Sequence, residues 1–313
     1  KGAGLAFGNM ESLKKHGGNA FRTWRVNNGN NTGKEIWDEA TRLGLMVCMG
    51  MEVGRERHGF DYDDQKTVQE QFDRVKSEVM ELKDHPALLM WGIGNELNLS
   101  YQNNKVWTAV NEISKMIHQE DGNHPTTTML AGAETEMLNK VMDLASDLDL
   151  ISFQFYGKLT DLPQHLEEAN YQGAYIVSEW GTTGHWEVES TSWNRPIEET
   201  SHQKASLFKE RYQKVILNNE NHCLGSFVFL WGQKQERTPT WYGLILESGE
   251  ETEMVDMMHF LWNDKWPENR SPQLKNFVLN DQNAQASIIL HQNQICTSKV
   301  FAEDPDSDPL SYQ

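Results

Sequence analysis

The feature that most constrains the fold of this chain is a regular alternation of short, β-rich apolar segments with longer amphipathic segments. Such alternation is typical of repeated βα units around a parallel sheet. We predict strands at residues 19–26, 45–51, 87–93, 126–131, 148–155, 174–178 and 225–230, and the remnant of a further strand before Phe7. We predict helices at residues 34–43, 65–83, 105–120, 134–145, 162–169, 201–218 and 253–262.

The number of βα units decides between two parallel architectures. Eight units in roughly 260 residues is the size of a (β/α)8 TIM barrel. A doubly wound open sheet has the same alternation, but no Gly-x-Gly-x-x-Gly turn follows an early strand, which weakens a nucleotide-binding version of it. We therefore predict an α/β chain in which residues 1–266 form a (β/α)8 barrel.

The composition changes after Pro267, where a polar stretch precedes two further apolar runs. We predict that residues 267–313 are a linker and the beginning of a β-rich accessory segment, with strands at 286–290 and 298–302. The Pro/Asp-rich stretch at 304–310 resembles the opening of an immunoglobulin-like or cadherin-like module. Its alternating aspartates are the ligand type that calcium prefers, and a Pro/Asp-rich turn is the competing interpretation. Since the chain opens at Lys1 without a methionine, we expect it to be part of a longer multidomain protein.

Charge and composition limit the partners. The formal net charge is -18, from 46 acidic and 28 basic residues, which opposes binding to nucleic acid. The sequence contains no apolar run of about 18 residues, so it predicts no membrane-spanning helix. Cys48 and Cys223 lie in apolar runs and are predicted to be core residues, and Cys296 is distant from both. No His-Glu-x-x-His or His-x-His pair predicts a metal site. We expect no cofactor, a neutral substrate, and a secreted, periplasmic or cell-surface location.

Two glutamates, 83 positions apart, carry most of the functional information. Glu96 ends the run Leu-Leu-Met-Trp-Gly-Ile-Gly-Asn-Glu, and Glu179 lies in Tyr-Ile-Val-Ser-Glu-Trp-Gly. A carboxylate where a buried strand emerges into a loop is poorly solvated, so its proton affinity is tunable. Strand carboxyl ends share one face of a parallel barrel, so the two groups can face each other, as glycosidic bond cleavage requires. The plainer interpretation is two ordinary strand-end carboxylates.

These two motifs resemble those of a known enzyme family. The Trp-Gly-Ile-Gly-Asn-Glu segment, with His85-Pro86 before it, is similar to the acid/base strand of the retaining glycoside hydrolases with a (β/α)8 barrel, clan A. Ser-Glu-Trp-Gly is similar to the nucleophile strand of that clan. The closest resemblance is to the barrel domain of family 2, which includes β-galactosidases and β-glucuronidases, and it spans roughly residues 1–264.

The resemblance implies roles for individual residues. It makes Glu96 the general acid/base and Glu179 the nucleophile, while Asn95 would bind the sugar 2-hydroxyl. Arg22 matches the second-strand arginine, which keeps the nucleophile ionised; Arg25 would point the other way on a regular strand. The remaining substrate-binding candidates are Tyr156 after the sixth strand, His58 in a Glu-Arg-His-Gly segment similar to Glu-Thr-His-Gly of family 2, Trp180 beside Glu179, and the eighth-strand Trp231. Gln154 stands where the family often has Asn.

The implied chemistry is a double displacement with retention of anomeric configuration, for which the carboxyl groups lie about 5 to 5.5 Å apart. Three alternatives remain open. A transglycosylase that remodels β-glucans uses the same two glutamates, a noncatalytic carbohydrate-binding barrel uses neither for chemistry, and a metal-dependent barrel hydrolase needs clustered His and Asp at strand ends. The sequence has no such cluster.

Overall fold

The computed structural model describes residues 1–5, 9–27 and 32–312. Within these ranges eight parallel strands pair in chain order, and the last pairs with the first to close a barrel. The strands are β1 Gly2–Leu5, β2 Ala20–Arg22, β3 Met46–Met51, β4 Leu88–Asn95, β5 Thr126–Ala131, β6 Leu150–Gln154, β7 Tyr175–Trp180 and β8 Cys223–Trp231. The predicted (β/α)8 barrel is therefore confirmed. Phe7, at which the predicted strand remnant ends, lies outside the described residues.

Helices follow the strands in order and surround the barrel. They are α1 Met10–Lys15, α2 Gly33–Leu43, α3 Gln65–Leu82, α4 Lys105–Glu120, α5 Thr135–Leu144, α6 Leu162–Glu168, α7 Ser201–Arg211 and α8 Glu253–Asn263. The predicted helix at 201–218 changes after Arg211 into a π-helical turn, Tyr212–Ile216, and a 3-10 turn, Leu217–Asn219. The first helix was missed because six residues with two buried side chains, Met10 and Leu13, give no readable periodicity.

Among the described residues, two large apolar clusters pack the barrel strands, and a smaller third cluster of Phe229, Leu230, Trp241 and Tyr242 lies at the end of β8. One lies inside the ring of strands, to which seven strands each contribute one buried side chain: Ala20, Cys48, Met90, Met129, Leu150, Ile176 and Phe227. The larger core lies between strands and helices, where amphipathic helices such as α3 bury Val75, Val79 and Leu82. Cys48 and Cys223 are buried, as predicted, and neither forms a disulfide.

Gly50 on β3 lets the chain after β2 approach the barrel closely. A Cβ atom at this position would lie 2.3 Å from the carbonyl oxygen of Thr23 and 2.7 Å from the backbone of Trp24. The Thr23 hydroxyl also accepts a hydrogen bond from the Gly50 amide, at 3.1 Å. The segment that carries Trp24 is thereby fixed against the strand.

A two-stranded antiparallel sheet follows the barrel, formed by β9 Gln273–Leu279 and β10 Ser298–Glu303. The predicted strand at 298–302 is confirmed, but the one at 286–290 is wrong, because that stretch begins with a 3-10 turn at Ala284–Ala286 and forms no strand. Ile289 is 76% exposed there, since no neighbouring strand offers it a partner. The assignment of residues 267–313 to an immunoglobulin-like or cadherin-like module stays a prediction.

The C-terminal aspartates form turns. A side-chain oxygen of Asp304 accepts hydrogen bonds from the amides of Asp306 and Asp308, at 2.9 and 3.0 Å. Over the described ranges, no group of three or more His, Cys, Asp or Glu residues has metal-binding geometry.

Candidate active site

Glu96 and Glu179 meet at the carboxyl ends of the barrel strands. Glu179 lies on β7, and Glu96 follows the last residue of β4. Both line a cavity of about 440 Å³, here called the central cavity, with Trp24, Asn95 and Lys234 among the other residues around it. Both also line a larger cavity of about 660 Å³ formed by residues that follow strands β4 to β8, here called the β4–β8 cavity. Two carboxylates from opposite sides of the barrel therefore face one space.

Glu179 is held by four hydrogen-bond donors. Its Oε1 accepts bonds from Arg22 Nη1 at 3.1 Å, Trp24 Nε1 at 2.8 Å and Gln154 Nε2 at 3.1 Å. Its Oε2 accepts one bond, from the Tyr156 hydroxyl, at 3.0 Å. These donors stabilise negative charge on the carboxylate. Oε1 thus has three partners and Oε2 has one, so Oε2 is the less engaged of the two oxygens.

Arg22 joins the nucleophile candidate to the neighbouring strand end. Its guanidinium is fully buried and donates from Nη2 to Asn95 Oδ1 at 2.7 Å, in addition to the ion pair with Glu179. Gln154 makes the same link, because its Nε2 also donates to Asn95 Oδ1, at 2.7 Å. The Asn95 amide is therefore oriented by two donors, which leaves its NH2 group to act as a donor itself.

Tyr156 remains a protonated donor to Glu179. Burial raises the pKa of this phenol well above its ordinary value, and the charge of Glu179 raises it further. Its ring packs edge-on against Tyr242 and Trp186, at 5.5 and 5.6 Å between ring centroids. Packing and hydrogen bonding thus fix the hydroxyl beside Oε2.

Glu96 has a different environment. Burial raises the pKa of its carboxyl, the charge of Glu179 raises it further, and the charge of Arg57 opposes both. Its backbone has a φ of 51°, in the left-handed region that non-glycine residues rarely adopt. Arg57 Nη1 donates to the Glu96 carbonyl oxygen at 2.6 Å, and Arg57 Nη2 lies 3.5 Å from Glu96 Oε2. One guanidinium therefore contacts both the strained backbone and the carboxylate.

The segment after β3 supplies further basic groups. Arg55 Nε donates to the Asn95 carbonyl oxygen at 2.9 Å. His58 is exposed and lines a third cavity, of about 600 Å³, which we call the β2–β3 cavity and which also has Trp24 and Asn95 in its wall. The structure thus places His58 next to the site without contact to either glutamate. The expectation of a neutral substrate rested on the lack of a second basic residue near the motifs, and Arg55, Arg57 and Lys234 correct that premise.

Two predicted substrate-binding tryptophans do not reach any of these cavities. Trp180 is fully buried and packs against Phe208 and Tyr212 of the helix layer. Side chains alternate along a strand, so the residue after Glu179 points away from the barrel mouth. Trp231 is also fully buried; it stacks on Trp262 of α8 at 5.6 Å and donates to the Ser12 hydroxyl at 3.2 Å. Both tryptophans are core residues, which corrects the prediction.

Several residues of the site were not predicted. Trp24 lies two positions after Arg22, the spacing at which side chains share a face of the strand predicted at 19–26, so the sequence carries this signal although β2 itself ends at Arg22. Because β2 ends at Arg22, strand alternation does not extend to Arg25, which lines the β2–β3 cavity. Arg57 is the residue that stands where Glu-Thr-His-Gly of family 2 has Thr. The aromatic wall is formed by Phe229, Tyr242 and Trp186 rather than by Trp231.

Comparison with known proteins identifies the barrel. Residues 8–219 match the family model described as "Glycosyl hydrolases family 2, TIM barrel domain". No curated protein matches.

Among the described residues no helix is long and apolar enough to cross a membrane.

Similar solved structures include the β-glucuronidase from Ruminococcus gnavus, with a TM-score of 0.65 and 15% sequence identity over 85% of this chain and 50% of that one. The β-glucuronidase from Dictyoglomus thermophilum has a TM-score of 0.62 and 15% identity over 86% of this chain and 51% of that one. A family 2 β-galacturonidase from Eisenbergiella tayi, bound to galacturonate, has a TM-score of 0.62 and 14% sequence identity over 82% of this chain and 46% of that one. At these identities the likeness shows the fold, and this chain spans about half the length of those proteins.

Proposed function

This chain belongs to glycoside hydrolase family 2 through its TIM barrel domain, and from that premise we propose that it is a retaining β-glycosidase with Glu179 as nucleophile and Glu96 as general acid/base. The observation that carries the proposal is the unequal environment of two carboxylates around one cavity. Glu179 is surrounded by donors that stabilise its charge. Burial and the charge of Glu179 raise the pKa of Glu96, which favours its acid form.

The first step forms a glycosyl-enzyme. Glu179 Oε2 attacks the anomeric carbon while the bond from that carbon to the departing oxygen breaks. Glu96 gives its proton to that oxygen, so the leaving group departs as a neutral alcohol. Asn95, whose amide oxygen is occupied by Arg22 and Gln154, has its NH2 group free to donate to the sugar 2-hydroxyl and so to position the ring for this step.

The second step returns both glutamates to their starting states. Once Glu179 is an ester its negative charge is gone, and one of the two causes that raise the pKa of Glu96 disappears. Glu96 then takes a proton from water, the water oxygen attacks the anomeric carbon, and the ester bond breaks. Two inversions at the same carbon give net retention.

We propose that the substrate is a neutral sugar, although the similar proteins of known structure are named as glucuronidases and a galacturonidase. Lys234 pairs with Glu236 at 2.6 Å, and Arg57 and Arg22 are committed to the two glutamates. Beside the Lys234–Glu236 pair, the β4–β8 cavity holds two further carboxylates, those of Glu134 and Glu187, and one further ammonium group, that of Lys158. A uronate would meet net negative charge there, and its desolvation would be poorly compensated.

The experiment pairs aryl β-glycosides of neutral sugars with the matching uronides and follows the anomeric configuration of the first product by proton NMR. We expect turnover of neutral substrates with retention. Glu179→Gln should lower kcat by about 10⁴-fold or more, since it removes the covalent step. Glu96→Gln should remain active on substrates whose leaving group needs no proton, and Glu112→Gln, an exposed exchange on α4, should be unaffected. Inversion of configuration, or full activity of Glu179→Gln, would contradict the proposal.

A further inference from the structure

The central cavity is flanked by the other two. Trp24 and Asn95 line both the β2–β3 cavity and the central cavity. Glu96 and Glu179 line both the central cavity and the β4–β8 cavity. The three spaces therefore follow one another across the barrel mouth as one cleft, with the two glutamates in its middle section.

The β2–β3 cavity has the volume of a ligand site, about 600 Å³. It is formed by the segments after β2 and β3 and by the side of α3. Nothing in the two-step reaction at Glu96 and Glu179 requires it, since a single sugar ring and its leaving group need only the space around the carboxylates.

The wall of this cavity combines aromatic surface with groups of both charges. Trp24 and Phe60 supply apolar ring surface, which packs against the apolar faces of sugar rings. Arg25, Arg55 and Arg74 supply planar donors, and Glu52 and Glu70 supply acceptors. Arg74 is already paired with Glu78, at 2.8 Å, which leaves two arginines facing two glutamates. Donors and acceptors in near balance suit an uncharged ligand rich in hydroxyl groups and give no preference for an anion.

Part of this wall is unengaged. Within the described ranges, Arg25 makes no ion pair and no side-chain hydrogen bond, and the same holds for His58. Both side chains are exposed. Their polar atoms are therefore free to bind sugar hydroxyls without first breaking contacts within the protein.

We propose that the β2–β3 cavity is a further sugar subsite, and that the cleft binds a neutral β-linked chain on both sides of the scissile bond, so that the protein cleaves inside chains. This inference rests on the proposed glycosidase function. A site closed on one side of the glutamates would admit only a chain end, whereas here a cavity adjoins the central cavity on each side.

The test measures kcat/KM over a series of β-linked oligosaccharides, from disaccharide to hexasaccharide, of the neutral sugar that is hydrolysed best. We expect kcat/KM to rise about tenfold or more once the chain is long enough to occupy the added subsite, because remote binding is used to stabilise the transition state. Chains labelled at one end should give early products of several lengths.

Variants locate the effect. Arg25→Ala and His58→Ala should lower the ratio of kcat/KM for the longest substrate to that for the shortest by about fivefold or more. Arg42→Ala, an exposed arginine on α2 outside the cleft, should leave the ratio unchanged. Hydrolysis that does not improve with chain length, or release of terminal sugars alone, would overturn this inference and leave the proposed function standing. No hydrolysis of any β-glycoside would overturn the proposed function itself.

Discussion

Arg57 contacts Glu96 at two points, the backbone carbonyl oxygen at 2.6 Å and the carboxylate at 3.5 Å. The carbonyl contact holds a residue whose φ of 51° is unfavourable for a glutamate. The carboxylate contact opposes the rise in pKa that burial and Glu179 produce. Arg57 thus acts as a positioning residue for the proposed acid/base and also adjusts its proton affinity.

Replacement of Arg57 should change the pH profile. In Arg57→Gln the charge that lowers the pKa of Glu96 is gone, so this pKa rises. The general acid must be protonated in the free enzyme, and the basic limb of kcat/KM against pH should therefore move to higher pH. Arg42→Gln, on the surface of α2, should leave the profile in place. A shift of the limb to lower pH would contradict this role.

Tyr156→Phe should slow the reaction without unfolding the protein. The variant loses the single hydrogen bond to Glu179 Oε2, of 3.0 Å, while the ring and its packing remain. Hydrogen bonds to charged groups are worth about 1.5–3 kcal/mol, so kcat should fall roughly 10- to 100-fold. Tyr171→Phe, which removes a hydroxyl bonded to the Ala174 carbonyl oxygen outside the site, is the matched control and should retain full kcat.

Two tryptophan variants should behave in opposite ways. Trp231→Phe shortens a fully buried side chain stacked on Trp262 and should lower the free energy of unfolding by roughly 1–3 kcal/mol with KM little changed. Trp186 is 61% exposed and lines the β4–β8 cavity, so Trp186→Phe should alter KM and leave stability nearly unchanged. Denaturant titration measures the stability of both variants, and steady-state kinetics measures their KM. An increased KM for Trp231→Phe at normal stability would show that Trp231 contacts the sugar, as the sequence predicts.

Glu251 should make stability depend on pH. Burial alone would raise the pKa of this carboxyl, but hydrogen bonds from His16 and Ser12 outweigh burial and lower the pKa to about 2. The pKa of an unfolded glutamate is about 4.3. The folded-state pKa is thus depressed, so the stabilisation is complete above the unfolded value and is lost as pH falls towards about 2. Glu251→Gln should be less stable than the wild type near neutral pH, and this difference in unfolding free energy should shrink in acid; a difference that grows in acid would contradict the assignment.

The sequence predicts the barrel, and it places the two proposed catalytic glutamates at strand ends, because both features depend on local patterns. The alternation of apolar and amphipathic segments reflects burial on both faces of each strand, and Glu96 and Glu179 each end such a run. Trp180 and Trp231 were misassigned because the face on which a side chain lies depends on where its strand ends and how it packs. Arg57 was not predicted, since its contact with Glu96 joins the segment after β3 to the end of β4 and only the closed fold brings them together.

The strand predicted at 286–290 failed for a related reason. An apolar, β-branched run forms a strand only when another strand lies beside it. Here β10 pairs instead with β9, whose residues Gln273–Leu279 fall in the stretch that looked polar. Pairing partners are properties of the tertiary structure and leave little trace in either segment alone.

The covalent intermediate at Glu179 is the central claim, and trapping it is the most direct test. A 2-deoxy-2-fluoro β-glycoside of the best neutral sugar, with an activated leaving group, slows the second step more than the first. Intact-mass and peptide mass spectrometry should then find one glycosyl group per chain, attached to the peptide that contains Glu179, and Glu179→Gln should take up none. A label on Glu96, or turnover with inverted configuration and no label, would contradict the account.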